Sequence, residues 1–321
     1  MDMRIAAGMV TFNPSLDDLR GSVPALLKQV EALVIVDNGS KNVDKVADFV
    51  AGYPQVTLLR NEKNLGVAVA LNRIFEWAEK AGFDWVLTLD DDSEIPSGMI
   101  DGYRRCLKDR DDVAAVGSGA SSDSDGVLDS ANSVNGSKRA DDSNGSSRVG
   151  IVCPLLINRK DGTVFHSKRS KDECITSGSL TNVAAWRAIG GFDDWLFIDG
   201  VDFDFSRRLV AAGYPIVECK AVVMPHQIGE SRTINLGIKH PIAWNHAPFR
   251  WYYIERNALY IDKKLGVYSW PHAVARIVGD ALIVLLFEHD KAKKIGAMLR
   301  GWRAGKRKIR EMNASKGTDR E

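Results

Sequence analysis

The sequence has no long apolar run: nowhere do about eighteen consecutive apolar residues occur, which argues against a membrane-spanning helix. Excess charge of either sign is also missing. Lys and Arg number 43 against 42 Asp and Glu, so no basic field points to nucleic acid. Cysteine is sparse, and Cys106, Cys153, Cys174 and Cys219 form no CxxC pair. That scatter argues against a zinc site or a disulfide framework and predicts reduced, cytosolic thiols. The amino terminus, MDMRIAAGMVTF, lacks the apolar core of a signal peptide and runs into Asn13-Pro14 as a first strand. After that strand no GxGxxG follows. The turn reads TFNPSL, which disfavours a dinucleotide and offers no Gly-rich basic loop to grip a triphosphate. What is present is 321 residues, 45% of them hydrophobic, enough for a substantial folded core.

Apolar, partly β-branched runs at Ile5–Phe12, Ala32–Val36, Val56–Leu59 and Trp85–Leu89 alternate with helical stretches. This alternation predicts βαβ units and a mainly parallel sheet, with ligands bound beyond the carboxyl ends of the strands. All four strands end in polar residues, at Thr11 and Asn13, Asp37 and Asn38, Arg60 and Asn61, and Asp90 to Asp92. Three adjacent carboxylates repel one another, so the Asp90-Asp91-Asp92 run reads either as a solvated acidic turn or as oxygen ligands for a hard divalent cation. In an extended segment Asp90 and Asp92 point to the same side. Asn64-Leu65-Gly66 at a helix start offers backbone N–H groups to an anion.

Residues 117–147 are dominated by Ser, Asp, Gly and Asn and predict a mobile insertion, either solvated or acting as an acceptor-side flap. Order returns with a strand over Val149–Ile157 and a turn through Lys160-Asp161-Gly162. Asp199 and Asp202, three apart, could share a face of the helix that opens there, or could simply cap it. A strand over Val217–Met224 then leads to Pro225-His226. Residues 231–321 differ in character. HAPFRWYYIERNAL is aromatic and basic, Val274–Phe287 is apolar, and Lys291–Arg310 carries nine Lys or Arg and no acid. Ile295, Met298, Leu299 and Trp302 fall at helical spacing, so this segment reads as a basic amphipathic helix for an anionic membrane surface, or as a stripe covering the domain. Gly296, Gly301 and Gly305 weaken it as a helix.

With these residues in view, the chain resembles the inverting family 2 glycosyltransferases of the GT-A fold, and among them the bacterial rhamnosyltransferase-like group. The motifs VTFNP, VIVDNGS, NEKNLGVAVALN, LTLDDDS, TSGSL, GGFDDWLFIDGVDFDFSRRLVAAGY, MPHQIGE and FRWYYIERN carry the resemblance over about residues 3–260. It implies a GT-A α/β domain over 1–230, a Rossmann-like mixed sheet with flanking helices, and a C-terminal helical extension over 231–321. It implies Asp90, Asp92 and His226 as ligands of Mg2+ or Mn2+. A nucleotide pocket would fall on Thr11, Asn13, Asp37, Asn38, Arg60, Asn64, Gly66, Asp90 and Asp91, and acceptor contacts on Ser177, Gly178 and Ser179. The family's catalytic acidic pair maps to Val201-Asp202 with Asp204 trailing, so Asp202 is the expected general base and Asp199 the alternative.

The implied reaction moves one sugar from a nucleoside diphosphate, dTDP-rhamnose first and a UDP-sugar such as UDP-galactofuranose next, to a cell-surface glycan or lipid-linked acceptor. QxxRW and multiple spanning helices, found in polymerising relatives, are absent, which favours single-sugar addition. The remaining non-enzyme reading is a glycan-binding or scaffold protein with a degenerate site. A cytoplasmic location follows from the same picture, with the basic end against the inner face of the plasma membrane, no nucleic-acid partner, and a homo-oligomer compatible with the sequence.

Overall fold

Short aliphatic strands separated by amphipathic helices build the sheet. The computed structural model describes residues 3–118, 148–159, 162–166, 168–170, 172–226, 232–233 and 242–318. From residue 119 onward, the insertion expected over 117–147 lies outside the described residues.

The first half runs β1 (Ile5–Thr11), α1 (Leu16–Leu27), β2 (Ala32–Asp37), α2 (Val43–Val50), β3 (Val56–Arg60), α3 (Val67–Lys80), β4 (Trp85–Asp90) and α4 (Met99–Ser118). It continues with β5 (Ile151–Asn158), β6 (Val164–His166), β7 (Lys168–Ser170), β8 (Glu173–Cys174), β9 (Leu180–Asn182), α5 (Val183–Ala188), α6 (Val201–Ala211) and β10 (Ile216–His226). The two-residue strands β11 (Arg232–Thr233) and β12 (Ile242–Ala243) pair with each other before α7 (Pro248–Lys264), α8 (Trp270–Phe287) and α9 (Lys291–Thr318).

The main sheet has the order β10-β5-β9-β4-β1-β2-β3, with β6 hung on β5. β1 to β4 are parallel to their neighbours, β9 is antiparallel to both β4 and β5, and β10 is parallel to β5. Six strands therefore end on one edge. There Thr11 lies opposite Asp37, Asp37 opposite Arg60, Val10 opposite Asp90, and His226 opposite Asn158. One face of the sheet packs Leu19, Val23, Leu33, Ile35 and Tyr103, the other Ile74, Phe75, Trp186 and Phe205. Burial on both faces is why β1, β2 and β4 read as continuous apolar runs rather than alternating ones.

One expectation is corrected here. The thiols are not all free: Cys106 on α4 and Cys219 on β10 form a disulfide across a separation of 113 residues, while Cys153 and Cys174 are buried and unbridged. Spacing along the chain could not reveal a pair that forms only because α4 lies on β10. For α9 the packing favours the second of its two readings, a stripe that covers the domain. Most of its apolar stripe is covered, since Ile295 and Met298 pack with Trp251 and Val284, and Trp302 with Leu259, Ala273 and Ile309, while Leu299 stays exposed. A Cβ at Gly301 would stand 2.1 Å from the Tyr252 carbonyl oxygen, and one at Gly305 2.8 Å from that of Arg256. These glycines, one turn apart, let α9 lie directly on α7, a role that composition alone does not reveal. Gly301→Ala is expected to lower stability by about 1–3 kcal/mol through overpacking. A urea midpoint equal to that of the wild type would contradict this close packing.

Candidate active site

The acidic turn at the end of β4 is built by local hydrogen bonds and one long-range clamp. The Asp90 N–H donates to Ser93 Oγ at 3.1 Å, and the Ser93 N–H returns to the Asp90 carbonyl at 3.2 Å. From the end of β5, Arg159 Nη2 donates to the Asp92 carbonyl at 2.7 Å, and its Nε pairs with Glu94 at 3.2 Å. Asp90 opens onto a cavity but is ringed by protein atoms. That burial raises its carboxyl pKa and the nearby Asp92 charge adds to it, while the Ser177 hydroxyl and His226 favour its anion. Asp91 is pushed up to about 6 by burial and by its two neighbours.

The opposite wall is the loop before α6. Phe197 and Asp199 both have φ of 61°, a left-handed conformation that non-glycine residues adopt only when their surroundings impose it. Asn257 of α7 imposes it: Nδ2 lies 2.8, 2.7 and 2.7 Å from the carbonyl oxygens of Leu196, Ile198 and Asp199. Arg256 adds Nη2 contacts to Trp195 O at 2.6 Å and Leu196 O at 3.0 Å, with its guanidinium over the Trp195 ring. Gly66 closes the other side. Its φ is 91°, a Cβ there would meet Phe197 O at 2.7 Å, and the following Val67 N–H donates to that same oxygen at 2.6 Å. The Asp199 carboxylate is held by Arg250 through Nε at 3.3 Å and through Nη2. Arg250 Nη1 also lies 3.3 Å from His246 Nδ1. Burial and the Arg250 charge hold His246 down at about 4, so this imidazole is neutral at pH 7.

Between these walls lies a cavity of about 660 Å³ bordered by Asp90, Asp92, Ser177, Asp199, Asp202 and His226, and on its far side by Trp244, His246, Arg250, Trp251 and Asp280. A second chamber of about 710 Å³ shares Asp90, Asp92 and Ser177 with the first, and is lined by Asn38, Asn64, Gly66 and Asp91 together with Phe12, Phe197, Phe249 and Tyr253. Asp90, Asp92, Asp202 and His226, from distant parts of the chain, thus border one space.

Other expected site residues stand behind the walls. Thr11 Oγ1 donates to Asp37 Oδ2 at 3.2 Å, and Asp37 Oδ1 accepts the N–H groups of Gly39 and Ser40 at 3.2 and 2.9 Å, so this buried pair shapes the β2 turn. Asn13 accepts from the Lys41 N–H at 2.9 Å, and Arg60 turns away to Asp44 at 3.0 Å. None of these four lines either chamber. Of Ser177, Gly178 and Ser179, only Ser177 faces the space, and its buried Oγ makes no well-formed hydrogen bond. Ser179 Oγ donates to Ile175 O at 2.6 Å, and the Gly178 carbonyl accepts the Tyr103 hydroxyl at 2.5 Å. Arg250, His246, Asn257 and Asp280 were not singled out from sequence. The FRWYYIERN motif contains two of them, but only the fold shows what its side chains face.

Among the described residues no three His, Cys, Asp or Glu side chains stand in a ready-made metal cluster. The donor set nevertheless fits a hard divalent cation. Three crowded carboxyls on one turn, one of them pushed up to about 6 by burial and by its two neighbours, are relieved by positive charge.

Across the cavity, Asp280 stands beside Glu255, whose carboxyl is fully buried. Burial and Asp280 push Glu255 up to about 8, against an ordinary 4.5, with Arg276 opposing. A group raised in the folded state stabilises fully below its ordinary pKa, and that contribution is lost as pH rises towards the folded value. Unfolding free energy should therefore fall between about pH 5 and 8, and Glu255→Gln should flatten the slope. Urea titrations of both proteins across that range test this, and parallel slopes would contradict it.

Comparison with known proteins fits this geometry. Residues 7–161 match the family described as Glycosyl transferase family 2, so the chain carries a domain of that family and is a glycosyltransferase. The matched region ends before Asp199, Asp202 and His226. The chain is 27% identical over 270 residues to the dTDP-rhamnosyl transferase RfbF of Shigella flexneri, covering 82% of this chain and 81% of that protein. It is 25% identical over 267 residues to the galactofuranosyltransferase GlfT1 of Mycobacterium tuberculosis, with coverage of 78% and 80%. The N-acetylglucosaminyl-diphospho-decaprenol L-rhamnosyltransferase of the same species is 25% identical over 272 residues, with coverage of 75% and 86%. Among solved structures, S. aureus TarS 1-349 in complex with UDP superposes with a TM-score of 0.51 at 12% identity, covering 95% of this chain and 92% of that one.

Proposed function

We propose that this glycosyltransferase is an inverting enzyme that moves a single sugar, rhamnose from dTDP-rhamnose, to a hydroxyl of a lipid-linked glycan, with Asp202 as general base. The observation that carries this reading is the one cavity bordered by Asp90, Asp92, Asp202 and His226. Similarity to two rhamnosyltransferases supports the donor, and one of them is named for a diphospho-decaprenol compound. Similarity to a galactofuranosyltransferase keeps a UDP-sugar as the second donor reading.

The two connected chambers divide the work. The one lined by Phe12, Phe197, Phe249 and Tyr253 offers ring faces to a nucleoside, and the one bordered by Asp202 and Asp280 takes the acceptor. Asp90, Asp92 and His226 would hold Mg2+ or Mn2+, which when bound neutralises charge developing on the leaving diphosphate. The Asp202 carboxylate takes the acceptor hydroxyl's proton as that oxygen attacks the anomeric carbon. Attack comes from the face opposite the diphosphate, whose bond to the sugar breaks with its electrons leaving on the diphosphate, and one displacement inverts the centre. Asp199 is a weaker choice of base because Arg250 already occupies its carboxylate. The buried Ser177 Oγ has hydrogen-bonding capacity to spare for a sugar or phosphate oxygen at the junction of the chambers.

Asp202→Asn should lower kcat by about a hundredfold or more with donor affinity nearly unchanged, while Asp92→Ala should weaken metal-dependent donor binding. Steady-state kinetics with dTDP-rhamnose, together with donor titrations with and without Mn2+, check both. Retention of most activity in Asp202→Asn would move the base to Asp199.

A further inference from the structure

We infer that the outer face of α8, not the amphipathic face of α9, docks this protein onto an anionic lipid surface. α8 is 18 residues long and apolar enough to cross a membrane by length and composition, yet only 11% of it is buried. Pro271, Ala275, Val278, Leu282 and Leu285 recur at alternating spacings of four and three, Leu286 adjoins them four after Leu282, and all are exposed, with Val278 and Leu282 at 52% and Leu286 at 65%. They form one charge-free stripe along the helix. The two charges of α8 lie on its other side: Arg276 pairs with Asp262 of α7 at 3.3 Å, and Asp280 borders the cavity. A spanning orientation would strip both of their partners in hydrocarbon, so the helix lies in the plane of the interface.

Charge at the two ends of the stripe selects the occupant. At its amino end Trp270 is 48% exposed, with Lys306 of α9 4.9 Å from its ring centre and the Trp302 ring tilted against it at 5.7 Å. Beyond its carboxyl end come the exposed Lys291 and Lys293, the latter sharing Asp290 at 3.3 Å. A Trp beside a cation at one end and cations at the other match an acyl boundary bordered by anionic headgroups. A second copy fits worse. Paired antiparallel, the stripes would bring Lys306 of one copy to Lys291 of the other, and paired parallel they would oppose like with like. With α8 seated this way, the helix that carries Asp280 on the cavity wall lies at the lipid surface, where a lipid-linked acceptor would be presented.

The inference extends the transferase reading but does not need it, because binding is read without donor. Full-length protein is sedimented with phosphatidylglycerol vesicles and, separately, with phosphatidylcholine vesicles. The probe variant is Leu282→Asp with Leu286→Asp, and its unfolding midpoint is compared with wild type to verify the fold. A second variant, Lys291→Glu with Lys293→Glu, tests the charge arm. Wild type should bind phosphatidylglycerol, more weakly at high salt and on phosphatidylcholine, and each variant should bind about tenfold or more weakly. Equal binding by wild type and the leucine variant, or no binding by wild type, would overturn the inference. So would a wild-type dimer that the leucine variant splits. Donor binding in solution should be the same in wild type and the leucine variant, so a failure here is distinguishable from a failure of the catalytic reading.

Discussion

One carboxamide joins the two halves of this enzyme. Asn257 of α7 points its amide nitrogen at the carbonyl oxygens of Leu196, Ile198 and Asp199 on the loop before α6, and that loop carries two non-glycine residues in the left-handed region. Without such a clamp, the backbone would relax towards ordinary dihedrals. The start of α6 would then shift, and with it Asp202. The C-terminal helices are therefore part of the active-site wall, which also explains why α9 is drawn so tightly against α7.

Electrostatics follows from that arrangement. Acidic groups crowd the end of β4 and the start of α6, and the chain offsets only some of them. Arg250 takes Asp199, while Lys264 and Arg208 take the fully buried Asp204. The aspartates of the β4 turn are offset less directly: Arg159 gives its guanidinium to Glu94 and to the Asp92 carbonyl, and His226 lies near Asp90. A structural cluster would be neutralised from within, whereas a binding site leaves the compensation to its ligand. The neutral His246 and the raised Glu255 show the same low-polarity surroundings on the far side of the cavity.

Much of this was legible in the sequence. The strand-helix alternation and the polar residue at the end of each strand predict the sheet and the edge where the cavity lies, because parallel βαβ connections align the carboxyl ends. The acidic turn and Asp202, both named from sequence, border one space in the fold. Thr11, Asp37 and Arg60 do not, since a polar residue at a strand end can equally serve its own turn. Long-range pairings were invisible: Cys106 with Cys219, Asn257 with the α6 loop, Gly301 with Tyr252. For α9 the helical period was right and its destination stayed open between lipid and the domain itself, because amphipathicity states that a face will be covered and not by what. Counting consecutive apolar residues passed over α8, whose two charges belong to its inner side.

The central claim is that the acidic cleft holds an activated sugar through its diphosphate with a divalent ion. The most direct measurement is the thermal unfolding of the wild-type protein with dTDP, UDP and their sugars, each with and without Mn2+. A ligand bound only by the folded state raises the transition temperature. The account predicts a rise for at least one nucleotide sugar, dTDP-rhamnose first, that appears only when Mn2+ is present. A rise of equal size without metal, or none with any nucleotide sugar, would contradict it.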